Sequence, residues 1–238
     1  MEFKVKTEQE LKEFFKELTF DEPSHTYHVG TQKVKKSVSG LLKKYYKEFD
    51  ASGIAPFVAK KRGCSTEDIL EEWKQSGLTA TTLGTAVHAF GEHYMTDRDL
   101  TPQNIQEEAI KEWVDKIPNH LLRVGEEVRM WNKTGTLFAG TCDGILFNSL
   151  TGKYILYDFK TNKTLDKVHR NTKMLAPFNH LLDCSYNKYQ LQLGFYKMLL
   201  EQVPGVEVES MIILHLPHEG GYQMRYVDDY SAQLKELV

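Results

Sequence analysis

Cysteine is scarce in this chain, with three residues among 238. Cys64, Cys142 and Cys184 are widely separated and form no CxxC pair. They cannot supply the four thiolates of a structural zinc site or an iron–sulfur cluster, so we expect neither. Free, buried thiols are the simpler interpretation.

Long apolar runs and an excess of positive charge are also missing. No stretch reaches the length of a membrane span, and the N-terminus lacks the apolar core of a signal peptide. We therefore expect a cytoplasmic protein that contacts no membrane. The net charge of −3 argues mildly against a DNA-binding module. It argues less against an enzyme with acidic metal ligands and only local phosphate contacts.

The apolar periodicity predicts helices, then a cluster of strands, then a helix and further strands. We expect helices at 8–18, 55–62, 66–76 with Thr66 as its cap, the later part of 82–95, 102–116 and 186–202, a helix through GLLKKYY capped by Ser37 or Ser39, and a short one at the C-terminus. Strands are expected in a hairpin near 25–38, at LLRVGEEVRMW, TLFAGTCDGILF and KYILYDFK, and after residue 206. This order predicts one mixed α/β domain over 1–238, with a central β-sheet flanked by helices. Residues 1–80 would form an N-terminal helical and hairpin elaboration, and 81–238 the core.

Asp143, Asp158 and Lys160 lie in two strand-like runs joined by the turn NSLTGK. Side chains alternate along a strand, so Asp158 and Lys160 share a face. If the turn pairs Asn148 with Lys153, Asp143 falls opposite Asp158. Two carboxylates at that distance repel, and a divalent cation between them would reverse the effect. Lys160 would stand one step along, ready to contact a phosphate.

Two helical pairs have the spacing of a shared face. His88 and Glu92 are four residues apart, as are Gln192 and Tyr196. Each has a structural alternative: His88 as a satisfied core histidine, Glu92 as a surface residue, and Gln192 with Tyr196 as ordinary packing. Asp143 before Gly144 could make a turn, and Asp158 with Lys160 could be an exposed strand pair; these alternatives stay open here.

Taken together, these motifs resemble the PD-(D/E)XK nuclease superfamily, in its RecB-like exonuclease branch. The likeness lies in the spacing from Asp143 to DFK at 158–160, in GTAVHAFGE at 84–92, in AGTCDGI at 139–145, in an acidic residue at 126 or 127, in Y-x-x-Q-x-x-x-Y at 189–196, and in the opening FDEPSHTYHV. The resemblance implies a restriction-endonuclease-like core and a stand-alone enzyme of phage or mitochondrial type. No helicase P-loop is present.

The resemblance also implies a set of roles. His88, Asp143, Asp158 and the backbone carbonyl of Phe159 would hold one or two Mg²⁺ or Mn²⁺ ions, with Glu92 and Glu127 as further candidates. Asp143, Asp158, Lys160, Gln192 and Tyr196 would form the catalytic set, with Lys160 positioning water or stabilising charge on the phosphate. Gln192 and Tyr196, with the basic residues that follow the catalytic lysine, would bind the nucleic acid: Lys163, Lys167, Arg170 and Lys173.

The activity implied is a metal-dependent DNA exonuclease acting on single-stranded or end-bearing DNA in recombination, repair or replication. A partner protein from recombination or replication would fit this activity. The expected location is the cytoplasm, for a protein encoded by a bacterial host or by a phage. The alternatives are an endonuclease of the same fold and a non-catalytic nucleic-acid-binding protein.

Overall fold

The computed structural model describes residues 4–168 and 171–238. The helices are α1 (Glu8–Phe14), α2 (Val38–Leu42), α3 (Ala51–Arg62), α4 (Thr66–Tyr94), α5 (Ile105–Asp115), α6 (Ser185–Leu200) and α7 (Ser231–Lys235). The strands are β1 (Leu18–Asp21), β2 (Thr26–Val29), β3 (Gln32–Lys33), β4 (Leu121–Trp131), β5 (Ala139–Asn148), β6 (Lys153–Lys160), β7 (Val208–His215) and β8 (Gln223–Tyr226). A 3₁₀ turn at Lys43–Tyr45 continues α2.

The central sheet has five strands in the order β4-β5-β6-β7-β8. Neighbouring strands are antiparallel except β6 and β7, which are parallel and are joined by a crossover through α6. Parallel neighbours need such a crossover, because a short turn cannot return the chain to the same end of the sheet. The predicted mixed sheet flanked by helices is therefore confirmed.

Helices cover both faces of this sheet. On one face α1, α2 and α6 pack on alternate residues such as Leu156 and Ile213, and on the other α4 and α5 pack on Tyr157 and Phe159. The β6 segment YILYDF is buried almost throughout, as expected of a central strand with two covered faces. Asp158 interrupts this apolar run and is 1% exposed.

Two predictions about the N-terminal part need correction. Residues 18–33 form a separate three-stranded sheet, whose first strand, β1, the sequence patterns do not predict. The predicted helices at 66–76 and 82–95 are one continuous helix of 29 residues, capped by Ser65 rather than Thr66. The reason is that Gly77 lowers helix propensity by about 1 kcal/mol, too little to end a helix whose C-terminal half packs on the sheet. α4 thus runs across residue 80, the expected start of the core.

Within the described ranges, no helix combines the length and the apolar character that crossing a membrane requires. Outside the helices and strands, residues 161–168 and 171–183 are irregular, apart from one bridge between Lys173 and Leu182.

Candidate functional site

Helix α4 brings His88 to the sheet because Gly91 allows a close approach. A Cβ atom at residue 91 would lie 2.5 Å from Cε2 of Phe159 on β6. Phe159 also makes an edge contact with the His88 ring, with 6.0 Å between ring centroids. The His88 Nδ1 atom then lies 3.2 Å from Oδ2 of Asp143. Gly91, the second glycine of GTAVHAFGE, therefore has a packing role that positions His88.

Substituting Gly91 with alanine should destabilise the protein by about 1–3 kcal/mol, since the buried Phe159 ring has little room to move. Gly77→Ala is the matched control. It lies on the same helix, and no atom lies within 4 Å of the position that its methyl group would take, so it should be neutral or stabilise by up to about 1 kcal/mol. Urea unfolding midpoints measure both. Equal effects of the two substitutions would contradict this account.

Strands β5 and β6 have the register that the turn predicted. Asn148 pairs with Lys153, and the ladder continues to Gly144 and Tyr157, one step before Asp143 and Asp158. Instead of a further ladder pair, the Phe159 amide donates a hydrogen bond of 2.7 Å to Oδ2 of Asp143. Side-chain alternation along β6 places Asp158 and Lys160 on the face covered by α6.

The buried Asp143 and the half-buried His88 form a charged pair. Burial alone would raise the pKa of Asp143, but His88, Lys160 and the Phe159 amide hold it below its usual value. Burial likewise disfavours charge on His88, yet the adjacent Asp143 carboxylate raises the pKa of His88 to about 9. Without a metal ion, the imidazolium therefore supplies the positive charge that this carboxylate needs.

Asp158 and Lys160 form the second charged pair, and their side chains are in direct contact. Burial and the neighbouring Asp143 raise the pKa of Asp158 to about 6. Although burial opposes it, Asp158 and Asp143 raise the pKa of Lys160 above its ordinary value. The Lys160 ammonium also lies over the Tyr189 ring, 4.5 Å from its centroid. Lys160 is therefore charged and held on two sides.

Glu127 on β4 completes a group of three metal-ligating side chains. Ligand atoms of His88, Glu127 and Asp143 all lie within 4.8 Å of one another. Burial and the charge of Asp143 raise the pKa of Glu127 to about 7. Its backbone is left-handed, with φ of 49°, a conformation that costs a non-glycine residue about 1–2 kcal/mol. Such strain is typical of functional positions.

The membership of this group differs from the expected one. The motif resemblance put Asp158 in the main ligand set and Glu127 among the further candidates, whereas in the structure Glu127 joins His88 and Asp143, and Asp158 is paired with Lys160. Glu92 lies one turn after His88, half-buried, and lines a cavity of about 450 Å³ together with Glu127.

Helix α6 places three polar side chains beside these groups. The Gln192 Nε2 atom donates to the Tyr196 hydroxyl at 2.8 Å, and Tyr196 is buried. Burial and the charge of Asp158 raise the pKa of Tyr196 well above its usual value, so it stays a neutral phenol. Tyr189 packs against the core, and it also covers Lys160 and donates to Asn162 at 2.7 Å. Its position three residues before Gln192, on the same helix face, is the signal that could have identified it.

The basic residues expected to bind nucleic acid are exposed where the structure describes them. Lys163, Lys167 and Lys173 all have exposed side chains. Arg170 lies outside the described residues. Lys163 directly follows Asn162, which accepts the hydrogen bond from Tyr189, and Tyr189 in turn contacts Lys160.

The donor set fits a divalent cation. Two carboxylates and an imidazole suit Mg²⁺ or Mn²⁺, with the imidazole favouring Mn²⁺. The raised pKa values of Glu127 and Asp158 reflect burial and repulsion between carboxylates, which the positive charges of His88 and Lys160 only partly offset. An ion held by His88, Glu127 and Asp143 would remove that repulsion.

Comparison with known proteins adds little. No protein-family model matches the chain, and no curated protein matches it. Among solved structures, the crystal structure of SSO0001 matches with a TM-score of 0.29 and 16% sequence identity, over 47% of this chain and 46% of that one. The chain thus spans about half the length of that protein, and a likeness this distant supports no functional argument.

Proposed function

We propose that this protein is a metal-dependent nuclease with a PD-(D/E)XK core, hydrolysing phosphodiester bonds in DNA. One observation carries the proposal: His88, Asp143 and Glu127 from a helix and two strands meet at one point, next to the buried pair of Asp158 and Lys160. The motif resemblance supports the same reaction, and its branch favours an exonuclease.

His88, Glu127 and Asp143 would hold the metal ion. A bound divalent ion lowers the pKa of a coordinated water and polarises the phosphoryl group. Ligation would require a neutral imidazole, so His88 would have to lose to solvent the proton that it carries beside Asp143. Metal binding should therefore compete with protons near neutral pH.

Lys160 would stabilise negative charge on the scissile phosphate. Its raised pKa keeps it protonated, so it acts as a fixed cation and not as a general base. Asp158 and Tyr189 restrict the ammonium before the substrate arrives, which reduces the reorganisation needed during the reaction. Asp158 is thus a positioning group for Lys160.

Gln192 and Tyr196 would donate hydrogen bonds to the substrate. Tyr196 accepts from Gln192, which leaves its own hydroxyl hydrogen available for a phosphate oxygen. The raised pKa of Tyr196 ensures that it keeps this hydrogen at neutral pH.

The activity test uses end-labelled linear DNA and closed circular DNA with Mg²⁺ or Mn²⁺. We expect degradation of linear DNA only, and its loss on adding EDTA or in Asp143→Asn. Glu108→Gln, an exposed residue on α5, is the matched control and should behave as wild type. Equal cleavage of circles would indicate an endonuclease. Binding without cleavage under any divalent metal would indicate a non-catalytic binding protein and overturn the proposal.

A further inference from the structure

Positive charge is concentrated in one segment of this acidic protein, residues 33–62, called here the basic segment. It carries nine basic residues and two acidic ones, Glu48 and Asp50, for a net charge of +7. The whole chain has a net charge of −3, so the rest carries −10. The basic residues are Lys33, Lys35, Lys36, Lys43, Lys44, Lys47, Lys60, Lys61 and Arg62. Such asymmetry indicates an anionic partner for this segment.

Most of these cations lack an internal counterion. Lys43 pairs with Glu48 and Arg62 with Glu72, each at 2.7 Å. Across the described residues, the other seven have no carboxylate within ion-pair distance. Lys36 lies just before α2, and Lys44 lies in the 3₁₀ turn that continues it. Burial lowers the pKa of Lys44, and the Lys36 charge lowers it further. Two neighbouring ammonium groups with no carboxylate between them form a site suited to a phosphate.

The basic segment is joined directly to the strand that carries Asp143. The Ala139 amide at the start of β5 donates to the Lys36 carbonyl at 3.3 Å, and Ser37 forms a parallel bridge with Ala139. A cavity of about 270 Å³ opens between the two elements, lined by hydroxyl groups and by Glu127 of the candidate metal site. The hydroxyl residues are Tyr27, Ser37, Ser39, Thr141 and Tyr196. A chain bound at Lys36 can therefore continue to the candidate catalytic groups over polar surface.

The loop after β6 adjoins the same segment. The Leu175 amide donates to the Tyr45 carbonyl at 2.7 Å, and Phe178 packs edge-on against the Tyr45 ring at 5.1 Å. Lys173, two residues before Leu175, is exposed. These contacts bring the segment that carries Lys173 against Tyr45, the residue that follows Lys44.

Exposed aromatic side chains alternate with the lysines. Phe49 is 65% exposed and Phe57 is 77% exposed. Phe49 packs against Trp73 of α4 at 5.1 Å, forming one wall of an open slot that also includes Gly77 and Ala80. Exposed rings between cations are the features on which unpaired bases stack, and bases within a duplex cannot reach them.

We propose that the basic segment binds single-stranded nucleic acid, with backbone phosphates on Lys36 and Lys44 and a base on the Phe49 ring, and leads the strand to the candidate site. This inference rests on the proposed function for one part only, the cleavage of the strand at the candidate site. An anionic membrane would also attract lysines, but the hydroxyl-lined connection to Glu127 and Tyr196 favours a linear polyanion that enters the site.

The test measures binding of a fluorescent single-stranded 30-mer by anisotropy in EDTA, across a series of salt concentrations. Lys36→Gln/Lys44→Gln should weaken binding and reduce the slope of log K against log salt by about 1.4, since each single-strand phosphate contact contributes about 0.7. Lys111→Gln/Lys116→Gln, at a residue of α5 and at its C-cap, across the sheet, makes the same charge change and should leave the slope unchanged. Phe49→Ala should weaken binding of the single strand about tenfold and leave duplex binding unaltered.

The outcomes separate this inference from the proposed function. If the wild-type protein binds the 30-mer through Lys36 and Lys44 but never cleaves DNA, the proposed binding surface is supported and the proposed nuclease activity is contradicted. If the wild-type protein cleaves DNA but the Lys36/Lys44 variant binds the 30-mer as well as the Lys111/Lys116 control does, only the proposed binding surface is contradicted. The proposed binding surface is also contradicted if the wild-type protein does not bind the 30-mer, or if it binds vesicles of anionic lipid more strongly than the 30-mer.

Discussion

Replacing Lys160 with methionine should lower the rate of DNA cleavage by about 10²–10³-fold, the usual effect of removing one preorganised charge-stabilising group. Methionine is unbranched and only one atom shorter than lysine, so the main losses are the ammonium charge and its contact with the Tyr189 ring. The reaction is measured at saturating linear DNA with Mn²⁺. Binding of DNA in EDTA should fall much less than the rate does.

The same substitution leaves Asp158 without its cation. Asp158 is 1% exposed, and breaking a buried pair costs about 3–5 kcal/mol when the other charge stays behind. The double variant Asp158→Asn/Lys160→Met removes both charges and should recover much of this stability without recovering activity. It therefore separates loss of catalysis from loss of folding. Activity of the folded double variant within tenfold of wild type would contradict the role given to Lys160.

The metal-free protein should lose stability as the pH rises from 5 to 9. Burial raises the pKa of Glu126 and of Glu127 from 4.5 to about 7, and that of Asp158 from 3.8 to about 6. Against the effect of burial, Asp143 raises the pKa of His88 from 6.5 to about 9. In each case the folded state binds more protons than the unfolded state, so stability falls as pH rises through these windows.

The four groups act in the same direction over successive pH ranges. The three carboxyl groups lose their contribution between about pH 4 and 7. His88 contributes fully below pH 6.5 and loses its contribution as the pH passes about 9. If together they bind about one extra proton in the folded state, stability falls by roughly 1.4 kcal/mol per pH unit, or roughly 4 kcal/mol from pH 5 to 8.

Mn²⁺ should reverse this loss, because it favours the deprotonated ligands. The stabilisation should be larger at pH 8 than at pH 5, and about 2.7 kcal/mol when the free ion is at 100 times its dissociation constant. Chemical unfolding with and without Mn²⁺ at both pH values measures the effect. Asp143→Asn should abolish it and Glu108→Gln should retain it. A metal effect that is independent of pH, or that survives in Asp143→Asn, would place the ion elsewhere.

The local elements could be predicted where turn and strand signals were strong. β6 was expected at KYILYDFK and occupies Lys153–Lys160, and the register from Asn148 to Gly144 follows the counting rule for its turn. The continuity of α4 and the existence of β1 could not be read in this way. Both depend on packing partners distant in sequence, which outweigh a helical glycine or a weak strand pattern.

The candidate site was predictable only in part. Spacing within β6 and α6 placed Asp158 with Lys160 and Gln192 with Tyr196, because short regular elements have known periods. Glu127 was harder to place, since β4 is shifted in register between Arg123 and Gly125 and the residue has a left-handed backbone. The contact of Lys36 with β5 joins residues about a hundred positions apart, and no local pattern signals it.

The amino-acid sequence alone determined which chemical groups this protein has and how they are spaced along each strand and helix, since those spacings follow from backbone geometry. Only the tertiary structure decided which groups meet. It put Glu127 beside His88 and Asp143, paired Asp158 with Lys160, and brought the basic segment against the strand of Asp143. The physical reason is that contacts between distant segments arise when whole faces are buried together, a property of the assembled sheet and helices and not of any one segment.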